Sequence, residues 1–193
     1  MDKRKWIMVT GLCIILLCGI AVGIYTFPRS IDVTLHGVKY QLGTDGAKAG
    51  TESATVVIHG VSRMSIWGDR TFKGRVTVVG ENIPVPEDQR ELEIRFMRDG
   101  YGPMTYVYWE RVNGHTVGKI YGYHTIFANK DFSEVTLLVL SPVKLANGEE
   151  GKSWNGDNGF MITAPTSNRE DAVALSNKLM HGYLDHPGMK QLQ

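Results

Sequence analysis

Six histidines are the residues of this sequence best suited to acid–base or metal chemistry: His36, His59, His115, His124, His181 and His186. No pair of them has the H-E-x-x-H spacing of a zinc site, and no cysteine beyond residue 18 can join them as a ligand. The segment "HGYLDHP" brings His181, Asp185 and His186 together, but a frayed helix end has the same composition. We therefore predict no metal site and no cofactor.

Nucleophilic catalysis would need a serine or cysteine held beside a histidine. The serines of "HGVSRMSIWGD" are close to His59 and Asp69 along the chain, whereas a catalytic triad is defined by geometry in space. The sequence has neither a G-x-S-x-G nucleophile elbow nor a phosphate-binding G-x-x-x-x-G-K-[ST] loop. We predict no catalytic residue, and expect a hydrolase only if a cleft gathers His59, Asp69 or His124 beside a nucleophile.

The charge balance argues against nucleic acid as a partner. Beyond residue 5 the chain has 18 basic and 19 acidic residues, so it is nearly neutral. Nucleic-acid binding depends largely on neutralising phosphates with clustered Lys and Arg. We therefore predict no nucleic-acid interaction.

The N-terminal stretch is strongly apolar. Residues 1–5, "MDKRK", precede 22 uncharged residues, 6–27. As a helix these would span roughly 33 Å, enough to cross the hydrocarbon core of a bilayer, and the preceding basic residues would keep the N-terminus cytoplasmic. The pattern predicts a transmembrane signal-anchor over residues 6–27, and hence a single-pass protein of the cell membrane with residues 28–193 outside.

A cleaved secretion signal is the alternative interpretation of the same stretch. "AVG" at 21–23 has the small-x-small form of a cleavage site, and cleavage near Gly23 would give a secreted protein. Cys18 follows Leu17 rather than a small residue, which argues against lipid attachment. Cys13 and Cys18 are therefore predicted to be apolar filling residues.

Residues 28–193 have the pattern of one β-rich domain of the α+β class. Short alternating segments such as "TVVIHG", "RVTVVG", "ELEIRFM" and "EVTLLVLS" predict about eight to ten strands separated by turns. We expect a small antiparallel β-sandwich or a partly open barrel, with a long loop over residues 147–159. One amphipathic helix is predicted near 168–182. Ser167 and Glu170 would form its capping box, and its apolar stripe would comprise Ala172, Leu175, Leu179 and Tyr183.

The segment "MTYVYWERVNGHTVGKIYGY" predicts a β-hairpin with a defined register. Asn113-Gly114 is a preferred two-residue type I′ turn. It pairs Val112 with His115, which in turn aligns Trp109 with Gly118 and Val107 with Ile120. We expect Val107, Trp109 and Ile120 to face the core, so that Trp109→Ala would cost about 3–5 kcal/mol.

The opposite face of this hairpin is the predicted binding surface. Side chains alternate between the faces of a strand, which groups four tyrosines with one acidic and one basic residue. Tyrosines are amphipathic and suit carbohydrate or protein partners, unless the rings are buried by the helix or inside a barrel. The residues of this surface are Tyr106, Tyr108, Tyr121, Tyr123, Glu110 and Lys119.

Three functions remain open from the sequence. The favoured one is a membrane-anchored, extracytoplasmic domain that acts as a non-enzymatic binding or scaffold protein of the cell envelope, with a protein or carbohydrate partner. The alternatives are an envelope hydrolase with an unrecognised His/carboxylate site, and a structural subunit of a membrane protein assembly.

Overall fold

The computed structural model describes residues 3–144, 148 and 150–193, with side chains from residue 10 onward. Part of the predicted N-terminal segment 1–5 and residue 147, at the start of the predicted loop, lie outside the described residues. Along the described residues the elements are, in chain order, α1 (Lys3–Thr26), β1 (Arg29–Gln41), α2 (Gly43–Ala49), β2 (Thr51–Met64), β3 (Arg70–Val78), a 3₁₀ turn (Glu87–Gln89), β4 (Leu92–Phe96), β5 (Gly102–Val112), β6 (His115–Ala128), β7 (Val135–Val139), β8 (Ser141–Lys144), β9 (Glu150–Ser153), β10 (Phe160–Ala164), α3 (Arg169–Leu179) and α4 (His181–Leu184).

Eight of the strands form one antiparallel sheet in the order β4-β3-β2-β1-β10-β7-β6-β5, while β8 and β9 form a separate two-stranded ribbon. The sheet curls until its edge strands, β4 and β5, lie against each other without a hydrogen-bonded ladder between them. The result is a nearly closed, barrel-like sheet whose inner face carries the larger hydrophobic core. The central residues of that core include Ile58, Phe72, Val76, Leu92, Ile94, Met104, Ile126, Phe132, Leu137 and Ile162.

The prediction of two packed sheets is wrong, because the strands continue through internal glycines into one curved sheet. Gly37 is internal to β1, Gly60 to β2 and Gly74 to β3. Gly60 pairs with Gly74, and a Cβ on Gly60 would lie 2.7 Å from the ring of Phe72. A glycine at such a position allows backbones to approach closely and a sheet to bend. The strands therefore continue around one curved sheet.

The prediction of a transmembrane helix over residues 6–27 is also wrong. Within the part of the chain that the structure describes, no helix combines the length and apolarity needed to cross a membrane. The apolar side chains of this segment are largely exposed, among them Leu12, Ile15, Leu17 and Ile24.

The predicted location depended on that segment and is corrected with it. A single-pass position in the cell membrane, a cytoplasmic N-terminus with residues 28–193 outside, and secretion after cleavage near Gly23 were all inferred from residues 6–27. Without a membrane-spanning helix in the described chain, none of these inferences is supported.

Helix α3 covers the outer face of the sheet over β1, β7 and β10. It contributes to a second hydrophobic core, in which buried Ala172 and Met180 pack on Tyr40, Phe127 and Met161. The predicted helix near 168–182 is thus divided into α3 and the short α4. Residues Leu175, Leu179 and Tyr183 of the predicted stripe are only partly buried.

Ser176 is the polar residue that the apolar pattern of α3 did not predict on the buried face. Its Oγ lies 2.7 Å from Thr163 Oγ1, 2.8 Å from Tyr40 Oη and 2.9 Å from Thr136 Oγ1. All four hydroxyls are buried and satisfy one another, and burial raises the pKa of Tyr40. Such a closed network fixes one position of a helix on a sheet, because any shift would leave a hydroxyl without a partner.

The N-terminus of α3 is capped differently from the prediction. Asn168 is the N-cap, and its side chain accepts a hydrogen bond of 2.9 Å from the main-chain N–H of Asp171. Ser167 is exposed and is not the capping residue. The capping box of Ser167 and Glu170 was therefore displaced by one residue, since Asn caps as well as Ser.

The hydroxyl network gives the first testable prediction. We expect Ser176→Ala to lower the free energy of unfolding by roughly 1–3 kcal/mol, because Tyr40, Thr136 and Thr163 lose a buried partner. Ser167→Ala makes the same chemical change at an exposed site just before the same helix and should alter stability by less than about 0.5 kcal/mol. Urea unfolding measures both. Equal effects would mean that the network does not hold the helix.

Candidate functional site

The β5–β6 hairpin has the register that the sequence predicts. Val112 pairs with His115, Trp109 with Gly118, Val107 with Ile120, and Tyr106 with Tyr121. Asn113 and Gly114 both have positive φ, as a type I′ turn requires. The ring of Trp109 lies over Gly118, so that a Cβ on that glycine would be 3.0 Å from the indole. The pairing and the tryptophan–glycine contact are confirmed.

The two faces of the hairpin, however, are the reverse of those predicted. Val107, Trp109 and Ile120 are exposed on the outer face, with 64, 60 and 76% of their surface accessible. Tyr106 and Tyr123 are instead in the inner core, at 1 and 2%. The alternation of side chains along a strand shows which residues share a face, but it does not indicate which of the two faces is buried. The expectation of a large core loss on Trp109→Ala is therefore withdrawn.

The remaining residues of the predicted binding surface lie at the rim of the core. Tyr108 and Tyr121 are half-buried and pack against the inner core, while Glu110 and Lys119 are exposed and form an ion pair. Lys152 of β9 lies 3.8 Å from the ring centre of Tyr121 and donates to the carbonyl of Gly122. Burial raises the pKa of Tyr106 to about 12. The tyrosines thus join the hairpin to the domain and do not form a continuous exposed surface.

The outer half of the hairpin, residues 107–120, is here called the arm, and Val107, Trp109 and Ile120 are its outer patch. Beyond Tyr121 the strand β6 pairs with β7 only from His124 onward, so the described arm is a two-stranded ribbon with two open edges. Three exposed apolar side chains on one ribbon face are unusual, since isolated exposed apolar residues are ordinary but clustered ones mark contact surfaces.

The β5 edge of the arm is occupied by a side-chain amide. Gln89 accepts a hydrogen bond of 2.7 Å from the N–H of Trp109 and donates one of 3.2 Å to its carbonyl. The amide thereby satisfies the main-chain groups that a neighbouring strand would otherwise bind. Gln89 lies in "ENIPVPEDQRE", which has the sequence pattern of an ordinary proline-containing connection and gives no signal of this role.

The β6 edge of the arm carries free main-chain groups. Residues opposite each other in an antiparallel pair alternate between bonding to each other and pointing outward. The N–H and carbonyl of Trp109 point outward to Gln89, so the N–H and carbonyl of its strand partner Gly118 point outward on the other edge. The main-chain groups of Thr116 and Ile120, two residues before and after Gly118, point outward as well. Within the described chain these groups have no hydrogen-bond partner.

The strongest acid–base constellation of the described residues is formed by Glu81, Tyr123 and His124. Glu81 Oε2 accepts hydrogen bonds of 2.8 Å from Tyr123 Oη and from Nε2 of His124. Burial alone would raise the pKa of Glu81, but the hydrogen bond and charge of His124 and the hydroxyl of Tyr123 together lower it. Nδ1 of His124 is buried and has no hydrogen-bond partner. No serine, threonine or cysteine hydroxyl or thiol is therefore placed to be activated by this ring.

The three candidates for a hydrolase site occupy separate surroundings. His59 lies on the exposed surface 3.5 Å from Asp32, and Asp69 accepts a hydrogen bond from Ser65 within the β2–β3 turn. His124 contacts Glu81. A groove of about 830 Å³ lies elsewhere, beside Trp154, Arg169 and residues 188–193, and none of the three lines it.

The C-terminal "HGYLDHP" cluster is dispersed in the structure. His181 faces Asp185 at 3.3 Å, whereas His186 faces Asp99 at 3.6 Å. Among the described residues no three His, Cys, Asp or Glu side chains are grouped closely enough to hold a metal ion.

Comparisons of the chain with protein-family models, with curated proteins and with solved structures found no match. The function is therefore argued from the geometry of the arm.

The Glu81 contact predicts a pH dependence of stability. A carboxyl whose pKa is lowered by folding stabilises the folded state above its unfolded pKa of about 4.3, and this contribution is lost as the pH falls through the folded pKa. We expect Glu81→Gln to lower the free energy of unfolding by about 1–3 kcal/mol at pH 7. The difference from the unmodified protein should begin to shrink as the pH falls below the unfolded pKa of about 4.3, and should be lost only when the pH passes the lower pKa of Glu81 in the folded protein. Urea unfolding over a series of pH values from 7 downward tests this, and a pH-independent difference would contradict it.

Proposed function

We propose that this domain is a non-enzymatic interaction module that pairs with a second copy of itself through the β6 edge of the arm. The observation that carries the proposal is the outer patch, in which Trp109 and two aliphatic residues are exposed beside an unpaired strand edge. Exposed strand edges are templates for pairing with another chain unless they are blocked. In the arm only the β5 edge is blocked, by Gln89.

A second copy fits this edge in a symmetric register. If a two-fold axis passes through Gly118, the outward groups of Gly118 face those of the partner's Gly118, and Thr116 faces the partner's Ile120. The same register places Lys119 opposite the partner's Val117, so that no two like charges are directly opposed. Pairing in this way would satisfy all three of the open positions on each copy.

The tryptophans make the same register favourable on the outer face. Each indole lies over its own Gly118, and the two glycines would be neighbours at the axis. Strands in a sheet are about 4.8 Å apart, so the two Trp109 main chains would be about 14 Å apart with only glycines between them. Two indoles that lean toward the axis can meet across that distance. Gly118 is therefore the residue whose small size permits the contact.

The alternatives predicted from the sequence are less well supported by these contacts. A carbohydrate-binding tyrosine surface would need exposed rings, but Tyr106 and Tyr123 are in the core. A hydrolase would need a nucleophile beside His124, whose Nδ1 has no partner.

The expected association is weak. A stable interface buries about 800 Å² on each partner, whereas three side chains and one strand edge supply less. We therefore expect a reversible dimer with a dissociation constant weaker than about 1 µM.

Sedimentation velocity over a concentration series tests the proposal. We expect the protein to shift from monomer toward dimer between about 10 µM and 1 mM. Thr116→Pro removes an outward N–H from the β6 edge without breaking the ladder to β5, and should abolish the dimer. Trp109→Ala should weaken it about tenfold, in the range of an aromatic contact of about 1.4 kcal/mol.

Arg111→Pro is the matched control. Arg111 is the partner of Thr116 in the ladder and carries the corresponding outward N–H on the β5 edge. It should leave dimerisation unchanged. A protein that remains monomeric at the highest concentration, or an equal loss in both proline variants, would overturn the proposal.

A further inference from the structure

Four of the residues that line a small cavity at one end of the curled sheet are cationic. The volume of the cavity is about 100 Å³, and its lining contains no Asp or Glu. The two aromatic residues that follow the apolar stretch also contribute to its wall. The lining residues are Tyr25, Phe27, Arg29, Ser62, Arg63, Met64, Arg70 and Lys130. This set is here called the basic cavity.

Strand pairing explains why these groups converge. Arg29 of β1 pairs with Ser62 of β2, and Ser62 pairs with Phe72 of β3. Paired residues share a face of the sheet, and Phe72 is in the inner core. Arg29 and Ser62 therefore lie on the inner face, as does Arg70, two residues before Phe72. The cavity is the mouth of the sheet above its core.

Arg70 is fixed in place and remains charged. Its guanidinium donates to the carbonyls of Ala128 and Asn129 at 3.0 and 2.8 Å, and stacks 3.7 Å from the ring centre of Phe96. Burial lowers the pKa of Arg70 to about 10, which leaves the group cationic at neutral pH. The site therefore has one preorganised charge that does not depend on a flexible side chain.

None of the four cations forms an ion pair within the described chain. Hydrogen bonds from Ser133 are the main cause that lowers the pKa of Asp131, and the charge of Arg29 adds a smaller effect. The carboxylate of Asp131 accepts a hydrogen bond from Ser133 and forms no ion pair with Arg29 in the described chain. Four like charges around one cavity repel one another, and an anion bound between them would relieve that repulsion.

Ser62 supplies a polar group that can bind a ligand. The residue is 6% exposed and lines the cavity, and its hydroxyl has no hydrogen-bond partner in the described chain. The Oγ atom is nevertheless accessible, because the fully buried polar atoms without a partner among the described residues are His124 Nδ1 and Trp154 Nε1. A tetrahedral oxyanion in the cavity would supply the missing acceptor.

We propose that the basic cavity binds the phosphate group of a small phosphate monoester, through Arg29, Arg70, Lys130 and the hydroxyl of Ser62. Water occupies about 30 Å³ per molecule, so 100 Å³ accommodates a group the size of one phosphate. Guanidinium groups bind phosphate oxygens with paired, charge-assisted hydrogen bonds. The rings of Tyr25 and Phe27 at the wall favour an ester with an organic group over free phosphate.

Isothermal titration of the full chain with phenyl phosphate and with inorganic phosphate, at constant ionic strength in chloride buffer, tests the proposal. We expect saturable one-to-one binding that is tighter for phenyl phosphate. Arg29→Gln and Lys130→Gln should each weaken it about tenfold, and Ser62→Ala about threefold. Equal affinity for both probes would assign the site to the phosphate group alone and remove the organic part of the proposal.

Arg95→Gln is the control for net charge. Arg95 is an exposed cation paired with Glu93 on β4, outside the cavity, so its loss should leave the affinity unchanged. Circular dichroism of each variant establishes that it is folded. Non-saturable heats, or equal weakening by Arg95→Gln and Arg29→Gln, would overturn the site.

Discussion

Closure of a single antiparallel sheet on itself is the constraint on which the rest of this structure depends. A sheet that curls has an inner face that must be filled completely and two ends that must be closed or left open to solvent. The inner face is filled by aliphatic and aromatic residues from all eight strands. At one end the segment after β3 folds inward, with Ile83 and Val85 buried and their carbonyls bound by Arg90. Glu81 joins the same segment to Tyr123 and His124.

The candidate functional features occur where that closure is incomplete. The arm is the part of β5 and β6 that extends past the sheet, so one of its faces has no layer to cover it. The basic cavity is at the mouth of the sheet, where inward-facing positions are beyond the last apolar layer and carry Arg29, Ser62 and Arg70. In both places the strands extend beyond the region where another layer packs on their side chains. Polar and exposed groups therefore appear in positions that would otherwise be buried.

The sequence predicts local pairing well and burial poorly. Asn113-Gly114 determines the register of the arm because a two-residue turn leaves no freedom in the alignment. Which face is inside depends on the direction of sheet curvature, and this is decided by contacts distant in sequence. The aromatic rings of Tyr106 and Tyr123 therefore filled the core where Trp109 was expected. Gly37, Gly60 and Gly74 likewise gave no signal of the curvature, since a glycine that ends a strand and one that bends it are the same residue in the sequence. Ser62 and Gln89 carried no signal, because their roles arise only from the placement of neighbouring strands.

The amide of Gln89 has a consequence for the size of any assembly. Strand-by-strand addition continues without limit when each new chain presents a fresh edge, and this is how fibrils grow. In the arm the main-chain groups of Trp109, in the middle of the β5 edge, are already bound by a side chain of the same molecule. A copy that joins at β6 therefore presents a β5 edge along which another strand cannot pair continuously unless it displaces that amide. A single glutamine thus favours a discrete complex over an open-ended polymer.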